Sequence, residues 1–105
     1  MKPNEHGVTP RIDCRFDLTG LTNVSLDVTR PDGSAFTIPH ERFSVGLEDV
    51  QDEQGATIML GNQYVYFVTE AGEFTSEGDY ALILTADFGS GKRLKTVETI
   101  FNVEA

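Results

Sequence analysis

The feature that most constrains this chain is the alternation of apolar and polar residues along several short segments. Val24, Leu26 and Val28 alternate with polar side chains, and Ile12 and Phe16 do the same in an earlier segment. Successive side chains point to opposite faces of a β-strand, so each segment has one apolar face and one face for water. No window keeps the three-and-four apolar spacing of a helix for long enough to form one. The sequence therefore predicts an all-β protein.

Turn residues separate these segments. The motif "RPDG" places Pro31 and Gly33 where a preset proline angle and an unhindered glycine suit a tight turn. The motif "GDY" places Gly78 two residues before Tyr80, at the start of a long apolar segment. That arrangement is typical of a tyrosine corner, in which the hydroxyl bonds back to the turn. We expect all four residues to have structural roles.

The spacing of strands and turns predicts an immunoglobulin-like β-sandwich of about seven to eight antiparallel strands. Alternation over residues 12–18 indicates the first strand, and the apolar run over residues 64–68 indicates a central strand. We expect residues 8–105 to form a single domain that follows a flexible tail at residues 1–7. Cys14 is the only cysteine, so no internal disulfide can form, and its phase in the alternation predicts a buried structural thiol.

The charge of the chain argues against nucleic acid as a partner. Seventeen acids and eight bases give a formal net charge of −9, which repels phosphate backbones. Three bases, Lys92, Arg93 and Lys95, are clustered in "FGSGKRLK". A phosphate-binding loop would need a glycine at the position of Ala86 and a serine or threonine in place of Arg93. The stretch is therefore predicted to be the tip of a hairpin between two strands.

A second charge cluster is acidic. Glu48, Asp49, Asp52 and Glu53 lie in "EDVQDEQG", which we expect to be a solvated loop. The loop does not follow the alternating oxygen-ligand pattern of a calcium site. We expect the basic cluster of one copy to contact this acidic loop of the next, so that the chain forms a homo-oligomer through modest rim interactions.

Other chemistry finds little support in the residues. His6 and His40 have no further ligands at metal-binding spacing, so no metal and no cofactor is predicted. The longest apolar run, "YALIL", is too short to cross a bilayer, and no leader sequence precedes the domain, so we expect the protein to stay in the cytosol where it is made. We expect it not to be an enzyme.

Two alternative functions stay open. Tyr64, Tyr66 and Phe67 in one strand would serve a carbohydrate-binding module if they were exposed in a row, although such aromatics belong more often to a core. A pair of carboxylates in a cleft would favour a small glycoside hydrolase. An acidic chain offers many such pairs, and the sequence singles out none.

The chain from about residue 8 resembles a group of short immunoglobulin-like structural proteins of tailed bacteriophages, which are similar to the amino-terminal module of baseplate upper proteins. The resemblance is carried by a strand ending in "VTRPDG" and by later elements of the pattern. Those elements are Thr69, Gly72, Glu73 and Phe74, then Gly78 and Tyr80, then Gly91 and Lys92, and finally Phe101 and Val103.

This resemblance implies a virion component of the tail, baseplate or neck, or a protein that decorates the capsid. Its implied partners are other virion proteins, with no nucleic acid and no membrane. Its implied location is the virion, after synthesis in the cytoplasm of the bacterial host. The acidic segment at residues 48–55 departs from the compact form of the group.

Overall fold

The computed structural model describes residues 1–89 and 94–104, and all the regular structure there is β-strand apart from one 3₁₀ turn at His40–Arg42. The strands are β1 (Arg11–Asp13), β2 (Asn23–Thr29), β3 (Ala35–Ile38), β4 (Phe43–Gly46), β5 (Val50–Gln51), β6 (Thr57–Met59), β7 (Tyr64–Phe67), β8 (Gly78–Asp87) and β9 (Leu94–Val103). The prediction of an all-β fold is confirmed.

In the described part of the chain, nine strands form three antiparallel sheets. One sheet has three strands in the order β1-β7-β4, and another has four in the order β3-β2-β8-β9. The third sheet is the two-stranded hairpin β5-β6. Strand β7 is the central strand of its sheet. Val65 and Phe67 belong to the core, and Tyr64 on the other face is buried, with its hydroxyl donating to the Glu48 carbonyl at the base of the hairpin.

The two larger sheets share one hydrophobic core. Ile12, Val65 and Phe67 come from the three-stranded sheet, and Leu26 and Leu84 come from the four-stranded sheet, all within one buried cluster. Alternate residues of β2 and β8 are buried while their neighbours face solvent, so the period-2 pattern of the sequence determines which side chains of these strands enter the core. The core therefore lies between the sheets and joins them.

Two details differ from the sequence prediction. The first strand ends at Asp13, because Arg15 has a φ of 61°, a left-handed conformation that ends an extended strand. Cys14 and Leu18 are nevertheless buried, as their phase predicts. Within the acidic segment Val50 and Gln51 form a short strand, since Val50 pairs with Met59, while the four acids lie in the irregular and turn residues on either side of it.

The first seven residues run beside the ends of the strands. The N–H of Asn4 donates to the carbonyl of Phe74, and the N–H of Gly7 donates to the carbonyl of Thr69. The Met1 carbonyl accepts from Glu104. The flexibility expected for this segment stays a prediction.

Candidate functional site

A groove lies where one open edge of each of the two larger sheets comes together, and we call it the edge groove. Strands β1 and β9 are the edges, and the groove between them has a volume of about 410 Å³. Its lining consists of residues 11–15 of β1 and the following turn, residues 97–99 of β9, and Met59 of the β5-β6 hairpin.

The backbone of β1 presents unpaired groups to this side. The N–H of Cys14 donates to the Gln63 carbonyl beside β7. Because successive residues of an antiparallel strand alternate in direction, the N–H and carbonyl groups of Arg11 and Asp13 point away from β7, to the open edge. Strand β9 is paired with β8 alone along its ten residues. Edge strands of this kind are templates for the addition of another chain.

Positive charge dominates the rim of the groove on the β1 side. The side chain of Arg15 is 87% exposed, whereas that of Asp13 is 25% exposed and lies 3.7 Å from the Arg15 Nε. Arg11 is exposed as well. Glu98, which pairs across the strands with Ile83, lines the β9 side of the groove and is exposed. The β1 side therefore carries a net positive charge from two arginines and one aspartate, and the β9 side carries one carboxylate.

The predicted basic cluster lies partly at this end of the molecule. The Lys95 Nζ is 4.6 Å from the centre of the Phe16 ring, next to Arg15, which makes a cation–π contact that fixes the ammonium here. Lys92 and Arg93 lie outside the described residues. The predicted contact of the cluster with an acidic neighbour stays a prediction.

The four predicted acidic residues are exposed on the β5-β6 hairpin and its base. The carboxylate of Asp49 accepts from the N–H of Gly61 at 2.7 Å, and that of Asp52 accepts from the N–H groups of Gln54 and Ala56. These bonds hold the turn, while Glu48 and Glu53 are exposed. The acids therefore shape the hairpin and give it a strongly negative surface.

The same hairpin exposes large apolar side chains. Leu47 is 80% exposed, Ile58 is 55% exposed and Leu60 is 49% exposed. A shallow groove between β6 and residues 13–15 joins this surface to the edge groove, since both grooves include Asp13, Arg15 and Met59. Ile58 and Leu60 line this shallow groove together, and exposed apolar side chains that lie side by side suit contact with another molecule.

The predicted structural residues surround one corner of the fold. Tyr80 is fully buried, and its hydroxyl donates to the Ser76 carbonyl at 2.9 Å and accepts from the Ser76 N–H at 3.1 Å. Gly78 has a φ of +126°, and a Cβ there would lie 2.9 Å from Pro31 Cγ. Gly33 closes its turn with a φ of +90°. The geometry around Tyr80 is that of a tyrosine corner.

An arginine pair holds the turn before this corner, and nothing in the sequence pattern indicated it. Arg42 donates with both terminal nitrogens to the Glu73 carboxylate and also to the Val68 carbonyl at 2.7 Å. Arg30 donates from Nε to the Glu73 carbonyl and stacks on the Phe36 ring at 4.4 Å. The two bases are 31 and 43 residues from Glu73, so only the folded chain brings them together.

The titration of Glu73 and Cys14 reflects their surroundings. Burial alone would raise the pKa of Glu73, but hydrogen bonds from Arg42 and from the Glu70 N–H, together with the charge of the arginines, lower it overall. Burial raises the pKa of the Cys14 thiol to about 11, and the charge of Asp13 adds to that shift. Cys14 lines the edge groove, and its raised pKa favours the neutral thiol.

Over residues 1–89 and 94–104 the structure gives no specific support to either alternative function. Tyr64 and Phe67 are buried, and the Tyr64 hydroxyl donates to the Glu48 carbonyl, so the aromatic strand does not present a row of rings. Asp13 and Glu98 share the edge groove, but both Asp13 oxygens interact with Arg15, and Glu98 is exposed. A glycosidase pair needs one carboxyl in a desolvated setting that favours its protonated form.

Within residues 1–89 and 94–104, no group of three or more His, Cys, Asp or Glu side chains is arranged to hold a metal ion. In the same part of the chain no helix is long and apolar enough to span a membrane. Comparison of the chain with protein-family models, curated proteins and solved structures gives no match.

Proposed function

We propose that this protein is a non-enzymatic structural component of a tailed-phage virion, built on an immunoglobulin-like sandwich and acting through protein–protein contacts. Its location would be the tail, baseplate, neck or capsid surface, after synthesis in the bacterial cytoplasm. The observation that carries the proposal is the order of the strands, taken together with the phage-like sequence motifs.

The strand order supports the immunoglobulin-like part. In such sandwiches one sheet has the order A-B-E-D and the other contains C, F and G, with C′ added beyond C in the variable type. Here β1-β7-β4 corresponds to B-E-D, and β3-β2-β8-β9 corresponds to C′-C-F-G. The chain visits these strands in alphabetical order, with the β5-β6 hairpin inserted between D and E.

The position of Tyr80 adds independent support. Strand β8 corresponds to F, and a tyrosine corner in these folds lies near the start of F, with the hydroxyl bonded to backbone a few residues upstream. The Tyr80 hydroxyl bonds to Ser76, four residues earlier. The buried Leu82 occupies the position of the second cysteine of antibody domains, so packing replaces the disulfide.

The role in assembly rests on what the described surface offers. It has open edges, a negative hairpin with exposed apolar residues, and a rim of arginines. Open strand edges and exposed apolar residues are the means by which small β domains join neighbours. Together with the motifs from Thr69 to Val103, they favour a virion component over a domain that binds small molecules.

The test is the composition of purified particles. Phage particles from the producing culture should contain this chain at a fixed ratio to the major tail or capsid protein after density-gradient purification. Crosslinking followed by mass spectrometry should then identify its neighbours. A host cytosolic protein of similar abundance serves as the control for carry-over. If the chain is abundant in the lysate yet depleted from the particles like that control, the virion proposal is wrong.

A further inference from the structure

The β5-β6 hairpin forms a sheet of its own. Its two strands pair only with each other, and an isolated two-stranded hairpin is marginally stable in water. Three of its large apolar side chains, Leu47, Ile58 and Leu60, are between 49% and 80% exposed. A covering surface would remove them from water and support the hairpin.

The edge groove lies where an immunoglobulin-like sheet would have one more strand. Under the immunoglobulin-like assignment, β1 corresponds to B, and strand A lies beside B on the edge of the sheet that is open here. Residues 1–9 contain no regular strand, and Val8 and Gly7 bond instead to Thr69. The free edge of β1 and the free edge of β9 therefore flank a place suited to an added strand.

The distribution of charged residues indicates which surface fits this groove. The segment from residue 43 to residue 89 contains no lysine or arginine, and its hairpin carries Glu48, Asp49, Asp52 and Glu53. The β1 side of the groove presents Arg11 and Arg15, with Lys95 close by. Asp13 and Glu98 also line the groove, so the positive side is the β1 side, where Arg11, Arg15 and Lys95 outnumber Asp13. This side and the hairpin are opposite in charge and belong to the same chain, so a second copy supplies the matching partner.

We propose that the β5-β6 hairpin of one copy docks in the edge groove of a second copy. The acids of the hairpin face Arg11 and Arg15 of the neighbour, and the exposed apolar residues of the hairpin are covered. Met59 belongs to the hairpin and also lines the groove, so the two surfaces adjoin on one chain. A two-fold symmetric dimer therefore makes both contacts at once and closes.

This inference names a partner for the assembly role proposed above and rests on that role. It differs from the contact predicted from the sequence, in which Lys92, Arg93 and Lys95 meet the acidic loop of the next copy. Here the basic residues are Arg11 and Arg15, with Lys95 close by. Neither Arg11 nor Arg15 was singled out by the sequence, since each is only the polar member of an alternating pattern.

The test is a charge swap measured by sedimentation velocity at physiological salt. Variant one is Arg11→Glu with Arg15→Glu, and variant two is Glu48→Lys with Glu53→Lys, which leaves the hydrogen bonds of Asp49 and Asp52 in the turn intact. Each variant alone places like charges across both contacts of the dimer, so its self-association should be at least about tenfold weaker than that of the wild type. An equimolar mixture of the two variants restores opposite charges at both contacts and should dimerise again.

All four substituted side chains are exposed, so folding should be unchanged, and circular dichroism of each variant checks this. The matched control for variant two is Glu41→Lys with Glu77→Lys, which makes the same charge change at exposed positions outside the hairpin. It should associate like the wild type or slightly better, because its net charge is lower. A separate variant with Leu47, Ile58 and Leu60 changed to serine should lose association without any change of charge.

Three results would overturn the proposal. One is a wild type that stays monomeric at about 1 mM. Another is association that neither charge variant weakens, and the third is an equimolar mixture that stays monomeric although the wild type dimerises. None of these results decides whether the chain is in the particle, since a monomer can still contact other virion proteins. The composition of purified particles answers that question separately.

Discussion

Replacement of Tyr80 by phenylalanine tests the corner that orients β8. The substitution keeps the ring, which is fully buried and packs 5.0 Å from the ring of Phe74, and removes only the hydroxyl. Two hydrogen bonds to the backbone of Ser76 are lost. Each such bond contributes roughly 0.5–1.5 kcal/mol net. Because Ser76 is exposed, water can partly replace the hydroxyl, so we expect a loss of about 1–2 kcal/mol in unfolding free energy.

The assay is urea unfolding followed by circular dichroism, since the chain contains no tryptophan. The midpoint should fall while the slope of unfolding free energy against urea stays constant, because the surface exposed on unfolding is unchanged. In thermal unfolding the same loss lowers Tm by roughly 4–8 °C per kcal/mol.

Tyr66→Phe is the matched control. Tyr66 is half-buried, and within the described residues no hydrogen bond of its hydroxyl is present, so the change should stay within about 0.5 kcal/mol. If Tyr80→Phe leaves the urea midpoint unchanged, or if Tyr66→Phe lowers it equally, the hydroxyl does not hold the corner and the reasoning fails.

Three further predictions concern the core, the arginine pair and the glycine at the corner. Cys14 should react slowly with a thiol reagent at pH 8 in the native protein and rapidly in urea. Because burial raises the pKa of the thiol from 9.0 to about 11, the unfolding free energy should decrease as the pH rises through that interval. The substitution Cys14→Ala should remove this decrease. Arg42→Met should lower the unfolding free energy in urea by about 2 kcal/mol, since it leaves the Glu73 carboxylate without its partner. Because the pKa of Glu73 is lowered, the stability from this ion pair is present above the carboxyl's ordinary pKa of 4.5 and is lost as the pH falls below it. A variant whose stability depends on acid pH as the wild type's does would contradict this role. Gly78→Ala should lower the unfolding free energy by about 1–3 kcal/mol, because the φ of +126° disfavours a side chain and the new Cβ would clash with Pro31. A Tm equal to that of the wild type would show that the corner relaxes freely.

The sequence alone determined which residues face the core along most strands. Side chains alternate across a strand whatever its neighbours are, so the phase of Val24, Leu26 and Val28 fixed the buried face of β2 before any pairing was known. The same local rule placed Cys14 inside. Turn chemistry is local as well, so Pro31 and Gly33 marked a turn that the structure closes between Arg30 and Gly33.

Only the tertiary structure decided where strands end and which distant residues meet. Arg15 ends the first strand although the alternation continues past it, because a single left-handed residue leaves no trace in a pattern of apolar positions. Pairing across the sheets decided that β1 and β9 are edges and that Arg11, Arg15 and the hairpin share one end of the molecule. Contacts such as that between Arg42 and Glu73 depend on side chains separated by 31 residues, and no local periodicity reports that distance.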